Sequence, residues 1–484
     1  MQHQGGRYVP RFFAALVGAA AWLALATPAS GTGIEATVPD GTNMPVWLAL
    51  PFLGILLSIA ILPLATPVLW HHHYGKIAAA WSLAVVLPAL GMYGLQPTFN
   101  VLLHTLVLEY IPFIVLLLTL FTVAGGVLLR GNLHGTPGVN TVLLAVGTGI
   151  ASFAGTTGAS MLLIRPVLRA NDHRRYNAHV AVFFIFLVAN IGGSLTPLGD
   201  PPLFLGFLLG VHFFWPLAHL IGPMLFCTVI LLAVFYLLDR YFLAKEENLP
   251  PRPDPTPDSR LRIEGWANAA LLVATMLTVL MSGAWKSGVV FHIGHIELEL
   301  QDVVRDAVLL AITGISWAIT PRAVRNANGF TWGPIVEVAK LFAGIFITII
   351  PAIAMLKAGE KGPLGAVVAL VSDPSGRPIN TAYFWIAGGL SSFLDNAPTY
   401  LVFFNTAGGN AEDLMGPLAR TLAAISAGAV FMGANTYIGN APNFMVKSIA
   451  EAMGVAMPSF FGYMAWSCAV LLPLFVLVTL IFFL

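Results

Sequence analysis

The chain is 484 residues long, 57% hydrophobic and only 9% charged, with 23 Lys and Arg against 22 Asp and Glu for a formal net charge of +1. A soluble domain carries about 25% charged residues and a nucleic-acid binder needs a basic surface, so both are excluded and an all-α polytopic membrane protein remains. The two cysteines, Cys227 and Cys468, lie in apolar runs and are too few for a disulfide scaffold or a thiolate metal cage.

Arg7 and Arg11 precede an apolar run over 12–26 that gives way to small and polar residues at 27–32. This is the layout of a signal peptide over 1–31, or of an uncleaved signal anchor, and either delivers 32–45 to the outside. From there, windows of about 20 apolar residues mark the crossings. They fall at 46–66 inward, followed by His71, His72, His73 and Lys76; at 77–94 outward; and, after a short outside stretch holding Glu109, at 111–129 inward to Arg130. Segment 138–169 is apolar but interrupted by Gly155, Thr156, Thr157 and Gly158, with Arg130 before it and Arg165, Arg169, Arg174 and Arg175 after it. Basic flanks stay in the cytoplasm, so this segment is expected to be a re-entrant hairpin with its tip at membrane depth. Irregular backbone at that depth is tolerated only inside protein or beside a wet cavity. Next, 178–212 reads as a discontinuous helix broken between Asn190 and Pro202, because glycines followed by two prolines do not continue a helix. A return span at 222–238 closes a first repeat over 40–243, and the Pro- and charge-rich stretch 244–265 reads as a solvated cytoplasmic linker.

The second repeat, 266–484, starts inside, with crossings at 266–284, 303–320 and 336–356. A hairpin over 380–406 carries Ser391 to Pro398 at its centre, a broken helix over 417–456 is interrupted between Gly433 and Asn443, and 459–484 is the last span. The halves align at a constant offset of 240. Ser152 and Phe153 match Ser392 and Phe393, while Gly193, Thr196, Gly199, Pro202 and Phe204 match Gly433, Thr436, Gly439, Pro442 and Phe444. An odd number of crossings per half inverts the second repeat, and inverted repeats with broken helices near the midplane characterise secondary transporters.

At the breaks, freed carbonyls and the side-chain oxygens of Thr156, Thr157, Asn190, Thr196, Asn396, Asn435, Thr436 and Asn440 can replace the hydration shell of a small cation, whereas freed N–H groups can hold an anion. Asp200 and Asp395 favour the cation. An acid at membrane depth costs at least about 2.5 kcal/mol and is functional by default. One that is protonated in one state and ligates sodium in another couples two ions at one site. Two ionised carboxylates would also repel a di- or tricarboxylate by several kcal/mol unless cations intervened. The structural readings are Asp200 as the cap of the following half-helix, Asp395 as the holder of its turn, and the Thr and Asn residues as partners for broken backbone. Glu337 and Lys340, three apart on one helix, read as a bridging pair near the inner face. The tracts His71 to His73 and His292, His295 and Glu297 lack a third ligand motif and are not assigned a metal. Neither a G-x-S-x-G elbow nor a paired-Asp protease pattern is present, so no enzyme is expected and an intramembrane hydrolase stays as the non-transport alternative.

Three pieces carry a resemblance: T-T-G-A-S-M-L-L-I-R-P from Thr156 to Pro166, N-I-G-G-S-L-T-P-L-G-D-P-P from Asn190 to Pro202, and S-S-F-L-D-N-A-P-T from Ser391 to Thr399. Over nearly the whole chain after residue 40 the sequence resembles the ion transporter superfamily, specifically the NhaD-like sodium/proton antiporters and the CitMHS-like group labelled citrate transporters. The resemblance implies a homodimer in the lipid bilayer, a moving part built from the two hairpins and two broken helices, and alternating access. It also implies that Asp200 and Asp395 lie at or near the ion site, with Na+ and H+ as transported ions and no other cofactor. Related dicarboxylate carriers place Ser-Asn-Thr at their hairpin tips, where this chain has Gly155, Thr156, Thr157 and Asp395, Asn396, Ala397. The expectation is a sodium/proton antiporter of a bacterial-type inner membrane. A cation-coupled citrate or dicarboxylate carrier is the alternative, followed by an arsenite-type carrier.

Overall fold

The computed structural model describes residues 40–246, 259–294 and 296–484. The expected signal segment 1–31, much of the linker and His295 lie outside the described residues. Among those described, nine helices are long and apolar enough to cross a bilayer, and the strands form only two two-stranded antiparallel ribbons. This is an all-α polytopic membrane protein, as a chain with so few charges requires. In hydrocarbon every backbone polar group must be satisfied internally, which a helix does within one segment.

The first pair is α1 (Leu50–Ala65) and α2 (Pro67–Tyr93). Only Thr66 separates them, and Pro67 opens α2, where a missing N–H costs nothing. His71, His72 and His73 are therefore exposed residues in the early turns of α2, not a loop ahead of a span starting at 77. The outside stretch expected around Glu109 is also absent. Helix α3 (Leu95–His104) runs through a π-helical turn, Thr105–Tyr110, into α4 (Ile111–Ala124). The wider turn accommodates Pro112, which cannot donate to the regular ladder. Beyond α4 the chain forms β1 (Leu128–Asn132), which pairs with β2 (Ser259–Glu264), and Arg130 bridges to Glu264 at 2.9 Å. The expected span to 129 thus ends in a strand, and so does the expected solvated linker.

Helices α5 (Pro137–Ala154) and α6 (Thr156–Ala170) pack against each other with a single residue between them. There follow α7 (Ala178–Leu187), a 3-10 turn at Ile191–Leu195, α8 (Pro201–Leu208) and the long α9 (Trp215–Glu246). The second half repeats the pattern. After α10 (Trp266–Ala284), a ribbon of β3 (Val290–Ile293) and β4 (Ile296–Glu299) leads to α11 (Leu300–Ile319), α12 (Arg322–Ala327), α13 (Gly333–Lys357) and α14 (Gly365–Leu370). Helices α15 (Asn380–Leu394) and α16 (Asn396–Thr406) form the second pair, followed by α17 (Ala411–Met415), α18 (Ala419–Met432), a 3-10 turn at Gly433–Asn435, α19 (Ala441–Ala452) and α20 (Phe460–Val478). On the ribbon, His292 meets Glu297 at 3.5 Å as an exposed cross-strand pair, and no metal-ligand cluster occurs among the described residues. Glu337 and Lys340 do not bridge to each other: Glu337 accepts from Trp70 Nε1 at 3.2 Å, and the Lys340 ammonium lies over the Tyr74 ring. Both reach across to α2.

Burial separates the helices into two kinds. In α7, residues 179–187 are all buried, and in α18 the same holds for 421–432, so both are enclosed on every side and almost wholly apolar, as interior helices are. By contrast α2 keeps Val68, Leu83 and Leu87 exposed, the state of side chains that face lipid. The buried helices lie in the largest core, to which α5, α6, α9, α15 and α20 also contribute.

One ionic group is buried where the sequence suggested only a solvated basic flank. Arg174 and Asp239 are both fully buried and paired, and Asp239 also binds His179 Nε2 at 2.8 Å and Asn140 Nδ2 at 2.8 Å. This ties the base of α5, the start of α7 and the end of α9 together. Removing one partner of a buried pair leaves an uncompensated charge and costs about 3 kcal/mol or more. Arg174→Gln is expected to destabilise the protein on that scale, read as a lowered midpoint in thermal unfolding of the detergent-purified chain, while Lys361→Gln at the surface leaves it unchanged.

Candidate functional site

The two helix pairs turn on one residue each. Gly155 sits at φ 76, ψ 147 and Asp395 at φ 72, ψ 143, a region that is essentially reserved for glycine. Asp395 is the only non-glycine residue with positive φ among the described residues, and it stands 240 positions after Gly155. Its Oδ1 accepts from Ala397 N at 3.2 Å, so it does hold its turn, as the structural reading expected.

The breaks in the other two helices are fixed by matching bonds. Thr196 Oγ1 donates to the Ser152 carbonyl and Thr436 Oγ1 to that of Ser392. Ser152 Oγ donates to the Gly192 carbonyl at 2.5 Å, and Ser392 Oγ to that of Met432 at 3.0 Å. Each pair is again 240 apart. Gly199 and Gly439 close the turns: an added Cβ would come within 2.1 Å of the Gly193 carbonyl oxygen in one and 2.5 Å of the Gly433 carbonyl oxygen in the other. Thr196 and Thr436 therefore serve the backbone, and their hydroxyls are committed to it.

The breaks and tips converge on Asp200, which is 1% exposed. Its Oδ1 accepts from Thr156 Oγ1 at 3.0 Å and Asn440 Nδ2 at 3.1 Å, and its Oδ2 accepts from Asn396 Nδ2. Thr156 and Asn396 are the first residues of α6 and α16, while Asp200 and Asn440 occupy the N-cap positions of α8 and α19. All four helix beginnings thus meet at one point, two pairs of positions related by the same offset. Asp200 makes no side-chain capping bond to α8, which removes capping as its role. Its carboxylate faces across to the other half of the chain.

Around this centre, Asn190 donates to the Ile185 carbonyl at 2.8 Å and to Asn443 Oδ1 at 2.7 Å, and accepts from Asn440 at 3.3 Å. Asn443 in turn donates to the carbonyls of Gly433 and Thr436. Asn443 closes the broken motif in the sequence without standing out from its neighbours; its spacing of three from Asn440 was the available signal. Asn435 donates to Ser392 Oγ at 3.0 Å. Thr157 is half-buried beside Thr156 and contributes no hydrogen bond to the cluster. Two acceptors remain: Asn396 Oδ1 and Asn435 Oδ1 are buried without a hydrogen-bond partner among the described residues. A buried unpaired amide oxygen costs about 1–3 kcal/mol, which a cation or a proton donor in the site would offset. No Lys or Arg side chain among the described residues forms an ion pair with Asp200 or Asp395.

Discontinuous membrane helices whose beginnings gather around one buried polar centre characterise secondary transporters. The chain belongs to the family described as "Putative citrate transport", which it matches over residues 41–483, and it is a secondary transporter. No curated protein matches it.

Proposed function

We propose that the protein exchanges sodium for protons by alternating access, with Asp200 as the group that takes either ion. The supporting observation is that this buried carboxylate receives only neutral donors, from Thr156, Asn396 and Asn440, and has no cationic partner among the described residues. A carboxylate so placed is neutralised by whatever cation enters. A proton does this by binding directly, and sodium by taking Asp200 together with oxygens that have no other partner, foremost Asn396 Oδ1. Asp395 supplies a second negative charge that interacts with Asp200 through space. The two halves, related by the 240-residue offset, act as inverted repeats, and the two copies of the protein in a homodimer each carry a full site in a bacterial-type inner membrane.

The family description favours a second reading, cation-coupled carriage of citrate. Here sodium or protons at the same acids would first cancel the repulsion that keeps a tricarboxylate away. Liposomes loaded with a pH-sensitive dye and carrying the reconstituted protein separate the two. Antiport predicts that external sodium or lithium dissipates an imposed pH gradient without any organic acid present. Absence of that response across pH 6 to 9, with uptake of labelled citrate, would transfer the assignment to the second reading.

A further inference from the structure

Away from the central carboxylate, three arginines line one cavity of about 290 Å³ between α6 and the β1–β2 ribbon. Arg165 and Arg169 come from the far end of α6, one helical turn apart, and Arg130 from β1; Asn132, Ser259 and Asn328 complete the polar lining. Arg169 spends one Nη2 bond on the Leu129 carbonyl at 3.1 Å, and Arg130 is held by Glu264. Among the described residues Arg165 has neither kind of partner. Its Nη1 is buried with no hydrogen-bond acceptor among the described residues, as is Nε of Arg169. Arg165 and Arg169 also repel each other, with Asp172 the acid that offsets Arg169.

The packing holds the Arg165 guanidinium in place. Gly329, at φ 59, lies directly beneath it, and a Cβ there would come within 2.5 Å of Nη2. Asn328 fixes that loop by donating to the carbonyls of Gly125 and Val127 at 3.0 and 2.6 Å. Like-charged groups held together with unmade donor bonds are costly unless something accepts from them. The guanidinium fork matches phosphate oxygens bidentately, and basic pockets between membrane helices suit lipid phosphates. At about 290 Å³ the cavity falls at the small end of ligand sites, which span about 300–1,000 Å³. It has room for a phosphate group.

We infer that this cavity binds a phosphate group through Arg165 and Arg169, supplied either by an anionic lipid headgroup or by a soluble phosphate. The bound anion would fasten α6, which begins at the central site, to the β1–β2 ribbon and the loop after α12.

The test uses the full-length protein in phosphatidylcholine nanodiscs, with thermal unfolding followed by tryptophan fluorescence during titration with inorganic phosphate. Phosphate also stabilises proteins without binding, so the decisive features are saturation and its dependence on the arginines. A saturating rise is expected, absent with chloride at equal ionic strength. In Arg165→Gln the midpoint concentration should move up about 10- to 100-fold, the loss of one charge-assisted hydrogen bond. Nanodiscs containing phosphatidylglycerol report the source. If they raise the unfolding temperature without phosphate and abolish the titration, the lipid is the ligand; if the titration is unchanged, a soluble phosphate is. Should Arg165→Gln yield no folded protein, Gly329→Ala displaces the same guanidinium without removing charge and should weaken the response similarly. A non-saturating rise, or equal responses in wild type and both variants, would overturn the proposal.

Discussion

Asp200→Asn is expected to reduce cation-driven proton flux in liposomes by at least about 100-fold, to the level of protein-free vesicles, because it removes the charge that either ion must neutralise. The fold should survive. The amide is isosteric with the carboxylate, and its oxygen can keep the Oδ1 position, where Thr156 and Asn440 both donate. Its NH2 then faces Asn396, whose own Oδ1 has no partner at present. A half-turn of the Asn396 amide converts a donor facing a donor into a new hydrogen bond. Unfolding midpoints within about 1 kcal/mol of wild type are therefore expected alongside lost transport. Normal flux from Asp200→Asn would remove this residue from the ion path, and a collapsed fold would make its role structural.

Asp395→Gly separates function from stability in the opposite direction. Asp395 occupies a backbone region that costs a non-glycine residue about 1–3 kcal/mol, and the position 240 residues earlier uses Gly155 in nearly the same conformation. Glycine would relieve that strain. It would lose the 3.2 Å bond to Ala397 N and add about 0.5–1 kcal/mol of chain entropy to folding. The balance is a protein as stable as wild type or about 1 kcal/mol more stable, but with severely reduced flux. Asp395→Ala keeps the strain and loses the carboxylate, so it should be the less stable of the two. Transport by Asp395→Gly at the wild-type rate would show that the carboxylate serves the turn alone.

Much of this geometry was legible because breaks in apolar segments are written in residue types with hard steric rules. The span 266–284 coincides with Trp266–Ala284, and the tips fall at Gly155 and Asp395, since glycines, prolines and a carboxylate clustered inside an apolar run do not sustain an unbroken helix. The constant offset was visible for the same reason, but not the fact that it pairs Thr156 with Asn396 and Asp200 with Asn440 at a single point. That depends on how helices cross in three dimensions. The β1–β2 ribbon joins segments more than a hundred residues apart through strands of five and six residues, too short for periodicity to mark. Arg174 looks from the sequence like a flanking charge in water because the buried acid that justifies its burial, Asp239, lies far along the chain. The helical position of the His tract is hidden from the sequence because a single residue, Thr66, suffices to end one helix and begin the next.

The matched tips and breaks carry unlike residues. Aligning one half with the other at the 240-residue offset brings Asp200 onto Asn440 and Asp395 onto Gly155, so the offset that relates the local backbone geometry does not relate the charges. In a carrier that opens alternately by exchanging the roles of its halves, the two forms would be degenerate only if that operation were complete. If the halves exchange roles as proposed, one form would present its acids where the other presents amide and glycine, which favours unequal energies while the acids are ionised. On that reading the empty protein should rest on one side of the membrane, and binding of a cation should change that bias.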